Sequence, residues 1–392
     1  MKPAKPIAFV INRIIEAAPV YVLYNIIAYL PKKLYLPIII ELRDSAPSRA
    51  NLRQHFKEHG CELLTLGYSL WQLELRTKKV SRHINEILQA RNIDLIHTHG
   101  YHPDLVAANL HGEYRRISTQ HNIAGDSFPI VKGKLIGSYM THRLLSQLSR
   151  MQAVVGITQS TTNYYKKRLG TAVHTYTVSN GIDPQRFGQM ENVDTKAECR
   201  KKLGLSNSTT VLVAVGLYTS LKNQPTLIRA VGLLNSSKRI SDDHLIIFLG
   251  SGIMQERCRS LAQSLGVRVR FDGLVSNMPE YFRAADMHVT ASLTEGFGLT
   301  VVEAIAMRCT VVSSAIPAFE EITERLPSIK PLHFEPTDVE ACALAIEKAL
   351  DYQFDEIEAQ DFTRYYSAPR MAEEYHKLYQ QLEKGQIEEA EK

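Results

Sequence analysis

Short apolar segments alternate with longer stretches whose apolar residues recur at helical spacing along most of the chain. Most of these segments lack polar alternation, which is typical of parallel strands that are buried on both faces. A first set of predicted strands comprises Ile7–Ile11, Leu36–Ile40, Leu95–His97, Arg116–Gln120, Ala153–Ile157 and Thr175–Val178. A second set comprises Val211–Val215, Leu245–Leu249, Val269–Phe271, Met287–Thr290 and Val311–Ser313. Strand–helix alternation that occurs twice predicts an α/β protein with two doubly wound domains.

The two sets meet near the turn signal Ser179-Asn180-Gly181, and the joint is predicted within Asp183–Arg200. At 392 residues the chain exceeds one ordinary core, which also favours two domains. We therefore expect an N-terminal domain over 1–185, a second domain over 186–365 and a helical tail over 366–392 that packs back on the first domain. The tail has apolar residues at helical spacing, namely Met371, Tyr375, Leu378 and Leu382.

The long apolar stretch Ala17–Ile40 is broken by Pro31-Lys32-Lys33 and Pro37, so it is predicted as a helix, a basic turn and a strand rather than a membrane span. Met1–Pro6 leads straight into a strand, so no signal peptide is expected. The five cysteines are scattered and never spaced as CxxC, which favours a reducing cytosol and disfavours a zinc site or a disulfide framework.

Basic and acidic residues are distributed unevenly along the chain. Residues 1–190 carry 24 basic and 12 acidic side chains, whereas residues 191–392 carry 22 and 29. The basic half is expected either to meet an anionic partner or simply to present a solvated basic face. Within it, residues 131–150 are predicted to form one helix with basic residues on one side. The other side would carry Leu135, Ile136, Tyr139, Met140, Leu144 and Leu148, facing either the core or an anionic membrane.

The segment TEGFGLTVVEA (294–304) carries the most specific chemistry. Glu295, Gly296, Phe297 and Gly298 follow the strand Met287–Thr290 and precede a helix predicted from Leu299 to Met307. Open α/β sheets bind ligands at this edge, and backbone N–H groups at a glycine-flanked helix start suit a phosphate. Glu303 lies one turn farther on, where its carboxylate can accept both hydroxyls of a ribose.

Three further loops follow strands of the second set in the same way. Gly216 to Lys222 follows Val211–Val215 and supplies a lysine that can neutralise a diphosphate. Gly250-Ser251-Gly252 follows Leu245–Leu249. After Val269–Phe271, Leu274 and Val275 can offer backbone groups to a base. Four such loops at one edge of one domain predict a nucleotide site.

Several segments resemble retaining glycosyltransferases of the GT-B fold, family 4. They are NGID (180–183), VGLYTSLKNQPTLIRA (215–230), FLGSG (248–252), FDGLV (271–275), ADMHV (285–289) and EGFGLTVVEA (295–304). The resemblance implies two Rossmann-like domains facing across a cleft. It assigns Lys222 and the Phe297-Gly298-Leu299 amides to the donor diphosphate, Glu303 to the ribose and Glu295 to the transferred sugar. Leu217 departs from the family, where many members have arginine.

The first half resembles the family more loosely, through IDLIHTHGYHPDLVA (93–107) and ISTQHNIAGDSF (117–128). The resemblance assigns His121 to the donor side as a catalytic residue. His99 and His102 are candidates for acceptor or cleft contacts, or histidines with local hydrogen bonds only. Ala18 is a further candidate, because Ala17-Ala18-Pro19 replaces the glycine pair that is usual after the first strand.

The resemblance implies sugar transfer from a nucleoside-diphosphate sugar to a hydroxyl of a saccharide or lipid-diphosphate-linked acceptor, in bacterial surface polysaccharide synthesis. It implies no cofactor, and because Asp-x-Asp is absent from the sequence, no metal is expected. A cytoplasmic protein that binds the inner membrane face peripherally is expected. A nucleotide-sugar 2-epimerase shares the architecture and stays an alternative. The sequence lacks the G-x-G-x-x-G motif that a nicotinamide dehydrogenase would carry. It also lacks a recognisable nucleic-acid-binding module.

Overall fold

The computed structural model describes residues 4–45, 51–188, 194–326, 328, 332–353 and 355–385. The chain divides into two compact units. The first comprises Met1–Gly181 together with Ala368–Lys392, and the second comprises Ile182–Ser367. The last helix thus belongs to the first unit, and the whole of the predicted joint, Asp183–Arg200, lies within the second.

The first unit contains a seven-stranded parallel sheet in the order β3-β2-β1-β4-β5-β6-β7. Its strands are β1 (Lys5–Ile11), β2 (Tyr35–Glu41), β3 (Glu62–Thr65), β4 (Leu95–His99), β5 (Arg115–Gln120), β6 (Ala153–Gly156) and β7 (His174–Thr177). Its helices are α1 (Ala18–Tyr29), α2 (Leu52–Glu58), α3 (Leu70–Leu75), α4 (Thr77–Ala90), α5 (Tyr101–Ala107), α6 (Ala124–Lys132), α7 (Lys134–Leu148), α8 (Gln159–Leu169) and the final α18 (Ala368–Lys384). The strand order reverses between β1 and β4, as in a Rossmann sheet.

The second unit repeats this plan with six parallel strands in the order β10-β9-β8-β11-β12-β13. Its strands are β8 (Thr210–Val215), β9 (His244–Leu249), β10 (Val269–Gly273), β11 (Met287–Thr290), β12 (Thr310–Ser314) and β13 (His333–Phe334). Its helices are α9 (Pro184–Phe187), α10 (Lys196–Lys202), α11 (Gln224–Ser236), α12 (Gln255–Ser264), α13 (Met278–Ala284), α14 (Leu299–Ala306), α15 (Pro317–Thr323), α16 (Val339–Ala349) and α17 (Glu356–Tyr365). Here the order reverses between β8 and β11.

The predicted strands are confirmed, because all eleven apolar segments form strands near the predicted bounds. Ile7–Ile11 and Val211–Val213 are fully buried, as expected for central strands covered by helices on both faces. The sequence interpretation missed β3 and β13. Both lie at sheet edges; β3 has exposed residues at both ends, and β13 has only two residues.

The apolar segments at the two ends of the first unit also form the predicted elements. Ala17–Ile40 forms helix α1, a turn and strand β2. In α18 the apolar stripe of Met371, Tyr375, Leu378 and Leu382 is buried. No helix in the described ranges is both long and apolar enough to cross a bilayer.

The prediction of one helix over 131–150 was wrong. Helix α6 ends at Lys132, and α7 starts after Gly133, whose φ of +81° interrupts the helical backbone. Leu144 and Leu148 are buried in the core, whereas Leu135 is 90% exposed, and Ile136 and Tyr139 are also exposed. The predicted apolar side is therefore divided between a core-facing end and a solvent-facing end.

Candidate active site

The second unit gathers its motif residues where β8 and β11 lie side by side. The loop after β8 contains Gly216 and Lys222, and the loop after β11 contains Glu295 and Gly298. A hydrogen bond from the Leu293 amide to the Leu221 carbonyl (2.8 Å) joins the two loops. These strands flank the point where the strand order reverses, which is the usual ligand-binding position in such sheets.

Lys222 and Glu295 form an ion pair in this position. The Glu295 Oε1 atom accepts hydrogen bonds from the Lys222 ammonium and from the Ser292 hydroxyl (2.8 Å). Both charged side chains are partly shielded from solvent, with 29% and 18% exposure. The sequence interpretation gave these residues separate roles, whereas the structure joins them, so each fixes the other's orientation.

The glycine turn before α14 is determined by backbone geometry and packing. Gly298 has φ +127°, a conformation that side chains disfavour, and a Cβ there would lie 2.5 Å from Phe319 Cε1. Phe297 is buried and meets Tyr366 edge to face. Gly296 is buried, and Leu299 is the first residue of α14. Since no side chain of the described residues caps α14, its first N–H groups remain available to an anion.

Glu303 lies one turn into α14 and is partly exposed. Burial raises the pKa of its carboxyl to about 7, and the Arg186 guanidinium opposes this rise. Arg186 itself donates a hydrogen bond to the Ser276 carbonyl (3.0 Å). A ligand that donates hydrogen bonds to the ionised form of a carboxyl group with a pKa near 7 favours that ionised form and is bound more tightly by it.

The neighbouring loops approach each other too closely for side chains. A Cβ on Gly250 would lie 2.1 Å from the Gly216 carbonyl oxygen, and a Cβ on Gly252 would lie 2.5 Å from the Tyr218 carbonyl oxygen. Leu217, in the loop after β8, is exposed. After β10, Leu274 is exposed and Val275 is partly exposed. The structure therefore places Leu274 and Val275 at the carboxyl end of an edge strand, two positions from β8 in the sheet.

In the first unit, His99 and His121 come together because β4 and β5 are neighbours. Their Nδ1 and Nε2 atoms lie 2.9 Å apart, and the rings are stacked. Burial lowers the pKa of His121 to about 4 and lowers that of His99 well below its usual value. Both imidazoles are therefore neutral at physiological pH, and the N–H group of one ring donates a hydrogen bond to the unprotonated nitrogen of the other.

His97 connects this pair to the last helix. Its Nε2 atom lies 2.7 Å from the Thr119 hydroxyl, and its Nδ1 atom lies 2.8 Å from the Tyr379 hydroxyl. The Tyr375 hydroxyl lies 2.8 Å from the same Thr119 oxygen. The sequence interpretation identified Tyr375 only as a packing residue and did not identify Tyr379, since no local signal shows which groups a distant helix will meet.

His102 and Ala18 lie apart from the histidine pair. His102 Nε2 hydrogen bonds to Glu74 (2.9 Å), and Glu74 also pairs with Arg143. Burial lowers the pKa of His102, while the hydrogen bond to Glu74 opposes this. Ala18 is exposed at the first position of α1. The sequence interpretation missed Glu74 and Arg143, which come from α3 and α7.

Comparison with known proteins agrees with this arrangement. The family described as Glycosyltransferase Family 4 matches residues 20–186, and the family described as Glycosyl transferases group 1 matches residues 195–386. The chain is a GT-B glycosyltransferase of the family 4 type. The predicted resemblance and fold class are confirmed, because the two Rossmann-type sheets correspond to the GT-B fold.

Several relatives of this glycosyltransferase are informative. An uncharacterized glycosyltransferase of Methanocaldococcus jannaschii is 25% identical over 303 residues, which is 74% of each chain. The lipopolysaccharide core biosynthesis mannosyltransferase LpsB of Rhizobium meliloti is 27% identical over 45% of this chain and 48% of its own. The chain thus aligns with about half of LpsB. The structure of Anabaena HepE in complex with UDP and glucose superimposes with a TM-score of 0.75 at 18% identity, over 95% of this chain and 99% of that one.

Proposed function

We propose that this glycosyltransferase retains anomeric configuration and moves a sugar from a nucleoside-diphosphate donor to a hydroxyl of a saccharide or lipid-linked saccharide. The Lys222–Glu295 pair carries the proposal, because it lies beside the start of α14, which no described side chain caps. It combines a cation, free amides and a carboxylate at the edge of the sheet where ligands bind. The activity of LpsB as a lipopolysaccharide core mannosyltransferase and the UDP and glucose bound to HepE support a nucleotide-sugar donor and a role in surface polysaccharide synthesis.

Each donor-side residue has a distinct role in this proposal. Lys222 has three N–H donors, so it can keep Glu295 and also bind the diphosphate. The Phe297, Gly298 and Leu299 amides bind the same group, and Glu303 accepts the ribose hydroxyls. Glu295, held by Lys222 and Ser292, orients the transferred sugar. Charge on the leaving diphosphate is met by the lysine and these amides, so transfer is metal-independent.

His121 contacts the transferred sugar. Since burial lowers its pKa to about 4, the imidazole is neutral at pH 7. A neutral ring can hydrogen bond a sugar hydroxyl without repelling the positive charge that develops at the anomeric carbon, whereas an imidazolium would oppose that charge. His99 holds the ring in place through the Nδ1–Nε2 contact.

Thermal shift with a panel of nucleotide sugars tests the donor site, because a donor at a fixed concentration stabilises the folded protein more the more tightly it binds. We expect one donor class to raise Tm, and Lys222→Gln to abolish most of that rise. Lys201→Gln, at an exposed position of α10, is the matched control and should behave as wild type. A lack of stabilisation by any nucleotide sugar would reject the proposal.

Product analysis then tests the reaction. NMR of the product should show that the anomeric configuration of the donor is kept in the new glycoside. Release of free nucleotide and an altered sugar without any acceptor would instead identify the nucleotide-sugar 2-epimerase.

The α6–α7 tip supports peripheral binding to an anionic membrane at the cytoplasmic face. This tip comprises exposed Ile130, Val131, Leu135, Ile136 and Tyr139 with Lys132 and Lys134 among them. Apolar side chains that enter the interface together with lysines that meet anionic headgroups fit such a surface. The location also agrees with a lipid-linked acceptor.

Vesicle co-sedimentation tests membrane binding. We expect binding to vesicles with anionic lipid, loss of binding at high salt, and weaker binding for Leu135→Ser/Ile136→Ser. Ile253→Ser, which removes an equally exposed apolar residue from the second unit, is the control. Equal binding of wild type and the double variant would contradict the assignment of the tip.

A further inference from the structure

Two arginines stand side by side where the first two strands of the first unit end. Arg13 follows β1 and Arg43 follows β2, and the two strands pair in register up to Ile11 and Glu41. The Arg43 amide donates a hydrogen bond to the Asn12 carbonyl (3.0 Å), which continues the pairing past the strand ends. The two guanidinium groups therefore start from adjacent positions on the carboxyl edge of the sheet.

Neither guanidinium has a counter-charge among the described residues. Both Nε–H groups are buried without a hydrogen-bond acceptor there, and neither side chain forms an ion pair with a described carboxylate. Asn12 Oδ1 is likewise buried without a described donor. Because buried polar groups in folded proteins almost always have partners, this cluster of three needs an explanation.

The carboxylate at the end of β2 does not supply the missing charge. Glu41 is buried and already accepts hydrogen bonds from the Ile14 amide (2.8 Å), Thr65 (2.8 Å) and Arg53. The ion pair with Arg53 neutralises it. Glu74 on α3 is likewise neutralised by Arg143, and it also forms a hydrogen bond with His102.

The charges of the two arginines act on each other. Burial lowers the pKa of Arg43, and the nearby Arg13 guanidinium lowers it further. Arg43 also contributes to the lowered pKa of His102, after the larger effects of burial and Arg143. Like charges held this close are unfavourable, and a bound anion would relieve both the repulsion and the unsatisfied N–H groups.

The position of the cluster indicates a ligand rather than a purely structural role. β1 lies between β2 and β4, with Ile11 paired to His99, so Arg13 lies between Arg43 and the histidine pair. The strand order reverses between β1 and β4, which is where open α/β sheets bind ligands. We propose that Arg13 and Arg43 form a subsite for an anionic group, a phosphate or a carboxylate, that is carried by the acceptor.

Asn12 would hydrogen bond a hydroxyl of the same acceptor molecule. The acceptor is thus a phosphorylated or acidic saccharide, or a saccharide on a lipid diphosphate, rather than a neutral sugar. This inference rests on the proposed function, because it assigns the acceptor to the first unit.

NMR of the arginine Nε–Hε groups tests the subsite directly in the full-length protein. Inorganic phosphate and acetate serve as probes for the two anion classes. We expect phosphate, acetate or both to shift the Arg13 and Arg43 signals, which are assigned through Arg13→Gln and Arg43→Gln. Each substitution should weaken binding by about tenfold or more, because a charge-assisted hydrogen bond is lost. Arg82→Gln, at an exposed position of α4, is the control and should leave anion affinity unchanged.

Three outcomes separate the possibilities. Absence of a shift with either anion up to about 100 mM, far above the range of a specific oxyanion site, overturns the subsite even if nucleotide sugars stabilise the protein. A nucleoside diphosphate that displaces phosphate from Arg13 and Arg43 also overturns it, because the arginines then belong to the donor site. Anion binding at the arginines without stabilisation by any nucleotide sugar supports the subsite and rejects the proposed function.

Discussion

Replacement of Gly298 by alanine tests whether the turn before α14 requires glycine. The residue has φ +127° and ψ 56°, and its Cβ would lie 2.5 and 2.9 Å from two carbons of the Phe319 ring. Phe319 and Ile322 are almost fully buried, so the ring has little room to move away. Backbone strain of this kind costs about 1–3 kcal/mol, and overpacking adds about 1–3 kcal/mol. We expect the free energy of unfolding to fall by about 2–6 kcal/mol.

Urea unfolding of the full-length protein, followed by circular dichroism, measures this loss. With an m-value of about 2 kcal/mol/M, the midpoint should fall by about 1–3 M. Gly266→Ala is the matched control in the same unit, because Gly266 also has a positive φ (+65°) but open space around its Cβ position. It should cost only about 1–2 kcal/mol. If both variants are destabilised equally, the contact with Phe319 does not constrain the turn.

Four further predictions concern the candidate site. Donor affinity should fall as the pH drops below about 7, because Glu303 then loses the ionised form that accepts two hydroxyls; calorimetric titration of wild type should show this dependence and Glu303→Gln should lack it. Glu295→Gln should lower kcat more than donor affinity in steady-state kinetics, since Glu295 acts on the transferred sugar. A larger loss of donor affinity than of kcat would contradict this role. Transfer should persist in EDTA, and loss of activity that manganese restores would refute metal independence. His288 is fully buried, and burial lowers its pKa to about 4. Between pH 7 and 5 only the unfolded state binds a proton at this residue, so the free energy of unfolding should fall by about 2 kcal/mol more for wild type than for His288→Asn. Equal decreases of the two proteins in urea unfolding would contradict this.

The sequence predicts the central part of both sheets because a strand covered on two faces must be apolar throughout. Ile7–Ile11 and Val211–Val215 are examples. Each forms the strand that comes first along the chain in its sheet and that has neighbouring strands on both sides. Edge strands lack this signal: Glu62–Thr65 is partly exposed, so its pattern resembles that of a loop. The helix break at Gly133 was missed because the apolar spacing continues across it, although glycine permits the positive φ found there.

The site was predictable where the chemistry is local and not where it depends on distant pairing. Glycines and a glutamate after a strand predict the turn at 295–298 from one segment. The Lys222–Glu295 pair depends on the crossover that places β11 beside β8. The contact of His97 with Tyr379 joins residues 282 positions apart, so no spacing in the sequence reveals it.

The return of α18 to the first unit determines the order in which the protein can be completed on the ribosome. The second unit is one continuous segment, Ile182–Ser367, whereas the first unit needs residues from both ends of the chain. Until α18 is synthesised, His97 and Thr119 lack the tyrosine hydroxyls that they contact in the finished fold. The first unit, whose synthesis begins first, is therefore completed last. Its sheet lacks α18 while the whole second unit emerges and folds. Premature termination just after Ser367 would yield a complete second unit joined to an incomplete first one, which is a natural substrate for chaperones and proteases.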